Sequence, residues 1–183
     1  GITAKAVDVK TGLKLLRTTD IKNYKVDWNA LPFCEITEKR GDVGKFLLRQ
    51  GDLIISRAGT IGVSVLVDRN PENVIFGSYL IKVRLSNKIC PNFMSYFCQS
   101  HLYWNHITSG QVGSTLKNIS LPILKSLKVP LPPLPEQQQI ASILSTIDNR
   151  LEIEKMGKAK LERIKKAFMN ELLTGKIRIK VKS

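Results

Sequence analysis

The sequence predicts an α+β protein, with a β-rich N-terminal region followed by one long C-terminal α-helix. Two observations lead to this fold class. Short β-rich runs alternate with glycine turns up to a proline-rich stretch at residues 130–135, and no proline follows from Glu136 onward. Proline has a fixed φ and no amide donor, so this stretch interrupts regular structure. We therefore expect one domain over residues 1–133 and a helical region over residues 134–183.

The β-rich runs predict strands in the middle of the first domain, at residues 53–56, 63–67, 74–75 and 80–85. Glycines at either end of residues 59–62 can adopt positive φ, which is typical of a hairpin connection between the first two strands. Apolar and aromatic residues then recur at helical spacing and predict a single helix from about Pro91 to Ile107. The glycine-rich residues 109–115 should form an exposed loop.

The C-terminal helix is predicted from Glu136 to Leu173, with Gly175 ending it and a short edge strand at residues 176–181. At about 1.5 Å per residue this helix is a rod of roughly 57 Å, too long to bury its apolar stripe on a domain of ~130 residues. We therefore expect it to pair with a second helix as a coiled coil. The stripe comprises Ile140, Ile143, Leu144, Ile147, Leu151, Leu161, Ile164, Phe168 and Leu172.

The charge balance favours a polyanionic partner. The 183 residues include 29 Lys and Arg against 15 Asp and Glu, a net charge of +14, and both regions are basic. Nucleic acid is therefore the first hypothesis and an acidic substrate the second. Three cysteines are too few for a disulfide framework and indicate a reducing compartment, the cytoplasm. No apolar stretch approaches the ~20 residues of a membrane helix.

The sequence lacks the common catalytic and metal patterns. Cys90, Cys98, His101 and His106 lie close together, but their spacing fits no common zinc site and favours core packing. No phosphate loop, Gly-x-Ser-x-Gly elbow or Glu-x-Lys pair is present. We expect no catalytic residue, no metal and no cofactor in this chain.

Loop residues able to contact DNA are the remaining candidates. Arg and Gln can make bidentate contacts with base edges, whereas Lys, Ser and Thr more often contact phosphates. The residues that we expect to bind DNA are Arg17, Arg57, Thr60, Ser78, Tyr79, Gln111, Ser114, Thr115 and Lys117.

Four segments together resemble one half of the specificity (S) subunit of a type I restriction-modification system: Leu16 to Ile21, residues 51–62, residues 110–119, and residues 130–141 with their Glu136-Gln137 pair. The resemblance implies that residues 1–133 form a target recognition domain that grips one half of a bipartite site in double-stranded DNA. The helix would be a spacer and a docking surface for methylation subunits, and through them for the restriction subunit. S-adenosylmethionine would bind the methylation subunit, and ATP the restriction subunit.

A complete S subunit has two recognition domains and two helical regions whose helices pair antiparallel, whereas this sequence has one of each. With the unpaired rod, this resemblance suggests a homodimer of two copies joined antiparallel through residues 136–173, with two-fold symmetry. Such a dimer should read an inverted repeat with an unread spacer. The alternative is a stand-alone RNA- or DNA-binding adaptor with a coiled-coil tail, and an enzyme of unrecognised type is the third reading.

Overall fold

The computed structural model describes residues 1–36, 43–110 and 118–180. Contacts divide the chain into two compact units, Gly1–Ala141 and Ser142–Ser183. The strands are β1 (Ala4–Val7), β2 (Lys14–Leu16), β3 (Phe33–Ile36), β4 (Asp52–Ser56), β5 (Ser64–Leu66), β6 (Val74–Phe76) and β7 (Leu80–Arg84). The helices are α1 (Pro91–Phe97), α2 (His101–Ser109), α3 (Leu121–Lys125) and α4 (Leu134–Leu173), and the α+β class is confirmed.

The strands form two sheets in the first unit. One has the order β1-β3-β2-β6, with β2 parallel to β6, and the other has the order β5-β4-β7 and is antiparallel throughout. All five residues of β4 are buried, because Ile54 faces a core shared with the first sheet while Leu53 and Ile55 face α1 and α2. A strand covered on both faces is a nearly continuous apolar run, which is why β4 was predictable.

The single helix predicted from Pro91 to Ile107 is wrong, because two helices occupy this stretch. The backbone of Cys98 caps the end of α1, and the Ser100 side chain accepts a hydrogen bond of 3.4 Å from the amide of Tyr103 at the start of α2. Serine is a favourable residue at a helix N-terminus, where its oxygen satisfies a free amide. The aromatic spacing continues across the break and conceals it from the sequence.

The long helix is confirmed as α4, a helix of 40 residues with Pro135 in its first turn. Gly175 follows it with a φ of +73°, and its amide bonds to the carbonyl of Leu172 at 3.2 Å. The edge strand predicted after it is wrong for residues 176–180, which are not in a strand. The described part of this unit offers no other strand to which these residues could hydrogen-bond, and a lone strand leaves its backbone groups unpaired.

Candidate nucleic-acid interface

Three connections between strands meet at one edge of the first unit, and we call them together the loop edge: residues 17–20, 57–63 and 77–79. The amide of Gly77 donates to the carbonyl of Leu16 at 3.0 Å, and the amide of Arg57 donates to that of Tyr79 at 2.9 Å. A Cβ atom on Gly59 would lie 3.5 Å from Thr18 Oγ1, so the first two connections are also in contact. Backbone hydrogen bonds therefore hold the loop edge together.

The β4–β5 connection is rigid. The Ser56 hydroxyl donates to the carbonyl of Ala58 at 2.8 Å, and the Tyr103 hydroxyl donates to that of Gly62 at 2.7 Å. Gly62 has a φ of +82°, and a Cβ atom there would come within 2.9 Å of the Trp104 ring. Only glycine fits both this backbone conformation and this close approach. The predicted hairpin is confirmed, and it packs against α2 through Tyr103 and Trp104.

Arg17 is fixed by Asp20 in a short 3₁₀ turn. Its Nε and Nη2 atoms donate to the Asp20 carboxylate at 3.0 and 2.8 Å, and its backbone amide donates to the same carboxylate at 2.9 Å. This hydrogen-bonded carboxylate raises the pKa of the guanidinium above its usual value. The pair leaves Nη1 free of Asp20 and sets the direction of the exposed side chain.

The structure places five predicted DNA-binding residues at the loop edge: Arg17, Arg57, Thr60, Ser78 and Tyr79. All five are exposed, and the Tyr79 side chain is 64% exposed. The other four predicted residues, Gln111, Ser114, Thr115 and Lys117, lie outside the described residues.

A groove of about 410 Å³ opens at the loop edge between Arg17 and Tyr79. Thr18 and Thr19 also line it, although the sequence interpretation did not select them. Neither did it select Asp20, which orients Arg17. The sequence does carry a signal for Asp20, which lies three residues after Arg17. A carboxylate at that position can accept hydrogen bonds from the free backbone amides at the start of a turn. The groove combines hydroxyl groups, a fixed guanidinium and an exposed aromatic ring, which are groups suited to nucleic acid.

Gln137 anchors the first turn of α4 within the first unit. Its side chain is 1% exposed, and Oε1 accepts from the Cys90 amide at 2.9 Å. Nε2 donates to the carbonyls of Lys88 at 3.2 Å and Pro132 at 2.8 Å. The amide therefore satisfies three backbone groups that come from two separate segments of the domain. Sequence interpretation marked Gln137 as part of a pattern but assigned it no contact.

The cysteines and histidines do not form a shared site. Cys98 is fully buried in the core beneath α1, and burial raises the pKa of its thiol from 9.0 to about 12. His106 Nε2 lies 2.8 Å from the carbonyl of Ile123, while His101 is exposed. Among the described residues, no three His, Cys, Asp or Glu side chains cluster as metal ligands would.

Much of the predicted apolar stripe of α4 is exposed in the second unit. The exposed fractions are 51% for Ile147, 51% for Leu151, 67% for Leu161 and 56% for Phe168. An exposed row of large apolar side chains at helical spacing marks an interaction surface. None of the helices in the described ranges is long and apolar enough to span a membrane.

Comparison with known proteins gives one consistent family. A family model described as the type I restriction modification DNA specificity domain matches residues 6–163. The type I restriction enzyme MjaVIII specificity subunit of Methanocaldococcus jannaschii is 30% identical over 93% of this chain and 41% of its own length. The putative MjaX specificity subunit of the same organism is 35% identical over 92% and 42%, and the EcoKI specificity subunit of Escherichia coli is 27% identical over 90% and 36%.

The chain thus spans about two fifths of the length of these curated relatives. Among solved structures, the HsdS subunit from Thermoanaerobacter tengcongensis matches with a TM-score of 0.64 and 18% identity, over 92% of this chain and 45% of that one. A chain from a study of complex assembly in the type I R-M system matches with a TM-score of 0.60 and 20% identity, over 87% and 38%. These structures show the shared fold, and with the family model they confirm the resemblance: this chain belongs to the family of type I restriction-modification DNA specificity domains.

Proposed function

We propose that this chain reads one half of a bipartite DNA site for a type I restriction-modification complex. Residues 1–133 would be the target recognition domain, and residues 134–183 the spacer and docking region for methylation subunits. The observation that carries the proposal is the convergence of Arg17, Arg57, Thr60, Ser78 and Tyr79 on one rigid edge in a member of a DNA specificity family.

The two arginines suit different contacts. Arg57 is exposed and forms no ion pair with any residue in the described ranges, so its planar fork is available for a bidentate contact with a guanine. Arg17 has Nε and Nη2 already bonded to Asp20, which leaves it suited to a single contact with a phosphate. Arg57 is therefore our candidate for a base contact. Arg17 is our candidate for a phosphate contact that fixes the position of the domain on the duplex.

The proposed role is binding and not catalysis. Within a complete complex, S-adenosylmethionine would be held by the methylation subunits and ATP by the restriction subunit, in the cytoplasm where the DNA is. This chain would supply the DNA sequence specificity of the complex. Its loop edge offers donors, hydroxyls and an aromatic ring, which are the groups used in recognition.

The exposed stripe of α4 supports a second copy of this chain as its partner. Apolar side chains from Ile143 to Phe168 would be covered by the same face of an antiparallel helix, in a closed two-fold dimer. The two recognition domains would then lie at opposite ends of the helix pair. Identical readers related by a two-fold axis read an inverted repeat.

The test is to co-express the full chain with a type I methylation subunit and to map methylated adenines across the host genome. We expect methylation at an inverted repeat interrupted by an unread spacer. Absence of sequence-specific methylation from a complex that does assemble would contradict the proposal. Equal capture of structured RNA and duplex DNA by that complex would support the stand-alone adaptor instead.

A further inference from the structure

A second cationic surface lies at the other end of β7 from the loop edge. Lys45, Arg49, Lys82 and Arg84 surround Gly44 and line a groove of about 460 Å³, which we call the basic groove. Lys82 and Arg84 project from the same face of β7 because strand side chains alternate. Lys45 and Arg49 come from the segment before β4, so only the fold brings the four cations together.

The ammonium group of Lys82 is held in a defined position. Its Nζ donates to the carbonyl of Lys45 at 2.8 Å and to that of Leu47 at 3.0 Å. It also lies 5.3 Å from the centre of the Phe76 ring. Burial lowers the pKa of Lys82, and the charges of Arg84 and Arg49 lower it further against the opposing effect of Asp52. A fixed, partly desolvated cation interacts more strongly with an anion than a solvated one does.

The charges of the basic groove are not balanced by the described residues that line it. Asp52 is only 3% exposed, and its carboxylate accepts from the Arg49 amide at 3.0 Å and from Arg84 Nε at 3.4 Å. Within the described part of the chain, one buried carboxylate thus lies beside four cations. The side chains of Lys45 and Arg49 form no ion pair with any residue in the described ranges. Bound anionic groups would relieve this repulsion.

The position of the groove indicates which anion it fits. The five residues of β7 run from Leu80, next to Tyr79 at the loop edge, to Arg84 at the groove, a distance of roughly 13 Å at about 3.3 Å per residue. The major groove of duplex DNA is about 12 Å wide. The two lengths are comparable, so the basic groove lies within reach of the phosphates that border the major groove when the loop edge contacts base edges.

We propose that the basic groove binds the phosphate backbone of the duplex beside the bases that the loop edge reads. This inference rests on the proposed function and assigns a sequence-independent contact to residues outside the predicted DNA-binding set. Lys45 and Arg49 neutralise phosphates from one side of the groove, and Lys82 and Arg84 from the other. The contact adds affinity and fixes register, while sequence preference stays with the loop edge.

The test compares two double variants of the full chain in complex with a methylation subunit. Lys45→Gln/Arg49→Gln removes two groove cations and leaves the Arg84–Asp52 pair intact. Lys5→Gln/Lys10→Gln removes the same charge from exposed positions of the same unit and is the matched control. Binding to a fluorescent duplex of mixed sequence is measured by anisotropy over a series of KCl concentrations, and thermal unfolding checks that both variants fold.

We expect the plot of log K against log [KCl] to become shallower by about 2 for the groove variant, about 1 for each lost phosphate contact, with little change for the control. Equal slopes for the two variants would overturn the assignment. So would a groove variant that binds duplex normally but no longer associates with the methylation subunit, because the groove would then bind an acidic protein surface. If the unmodified complex binds no duplex at all, the proposed function itself fails.

Discussion

At the residue scale, Arg57 occupies the most informative position of the loop edge. We expect Arg57→Ala to relax sequence preference at one base pair, with a loss of about 1 to 3 kcal/mol for the preferred sequence. Arg57→Lys keeps the charge but loses the planar fork, so it should retain affinity for mixed-sequence duplex while still losing preference. Competition binding with duplexes that differ at single positions measures both effects.

Uniform weakening of Arg57→Ala across all these duplexes, with full recovery in Arg57→Lys, would identify Arg57 as a phosphate contact. The Arg17→Ala variant is the useful comparison, because Asp20 already takes two of its donor atoms. That variant should bind all of these duplexes more weakly, by a similar factor.

Cys98 predicts a pH dependence of stability. Its thiol loses its proton near pH 9.0 when unfolded but only near 12 when buried, so the folded state binds more protons between these values. The contribution of the protonated Cys98 thiol to the free energy of unfolding is therefore fully present below pH 9. It is lost as the pH rises through this window, by up to about 1.4 kcal/mol per pH unit. Burial also raises the pKa of Tyr103, which adds to the decline above pH 10.

Urea unfolding at several pH values measures this slope. We expect Cys98→Ala to show a shallower decline between pH 9 and 10 than the unmodified chain, whatever its stability at pH 7. Cys90→Ala is the control, since that thiol lies at the half-buried start of α1. The same slope in both variants would show that Cys98 ionises freely in the folded protein.

The surface position of individual residues was predictable where their place in a connection between strands decides exposure. Arg57, Ser78 and Tyr79 follow strands and lie within two residues of a glycine, and residues at such connections lie on the surface. Asp20 and Gln137 were not assigned roles because their contacts are set by folding. The partner of Gln137 at Cys90 is 47 residues away in the sequence, and periodicity carries no information about such a pair.

At the element scale, the first turns of α4 are buried within the first unit at Gln137 and Ala141, and the Gln137 side chain makes the hydrogen bonds there. Gln137→Met keeps the length of the side chain but leaves the amide of Cys90 and the carbonyls of Lys88 and Pro132 without their partner. Buried backbone groups without hydrogen bonds are costly, and we expect a loss of about 2 to 4 kcal/mol in the free energy of unfolding of this unit. Chemical denaturation followed by tryptophan fluorescence reports it.

Gln138→Met is the matched control, because its side chain is exposed. We expect that variant to unfold within about 0.5 kcal/mol of the unmodified chain. If both substitutions have the same small effect, the hydrogen bonds of Gln137 contribute little to the stability of the first unit.

The exposed stripe of α4 is tested by reversing its character. Ile147→Glu/Leu151→Lys places two charges among the apolar side chains that a second copy would cover, and we expect the dimer to dissociate. Light scattering coupled to chromatography measures the mass. Glu152→Lys/Lys155→Glu is the control, since it changes charges on the same helix outside the apolar stripe and keeps the net charge.

A monomeric mass for the unmodified chain at micromolar concentration would contradict pairing between identical copies. An unchanged mass for Ile147→Glu/Leu151→Lys would locate the dimer contact elsewhere.

Elements were predicted best where a simple period runs undisturbed. The stripe of α4 and the double-sided burial of β4 give strong patterns, and both elements are confirmed. The break between α1 and α2 was missed because its signal is one serine in an aromatic stretch. The strand after Gly175 was wrong because alternation of apolar and basic residues describes a possible strand, while pairing requires a neighbour that this unit does not supply.

At the scale of the whole molecule, the length of α4 should set the distance between two readers. Insertion of one seven-residue repeat after Gly157 preserves the phase of the stripe and lengthens the helix by about 10.5 Å. Duplex DNA rises about 3.4 Å per base pair, so the unread spacer should grow by about 3 base pairs or more. Mapping of methylated adenines in cells that carry the longer chain gives the new spacer directly.

A two-residue insertion at the same place is the control, because it rotates the stripe by about 200° and should abolish pairing. An unchanged spacer in the seven-residue variant would mean that the length of α4 does not set the length of the spacer.

The double burial of β4 has a consequence for how such a protein diversifies. The core of the first unit is built by strand residues that face inward on both sides, whereas the side chains of the candidate reading groups are exposed on the connections and contribute little to that core. Substitutions among Arg57, Thr60, Ser78 and Tyr79 can therefore accumulate with little effect on folding. Under the proposed function, a lineage can acquire a new target while keeping its scaffold, as long as the glycines that shape the connections stay in place.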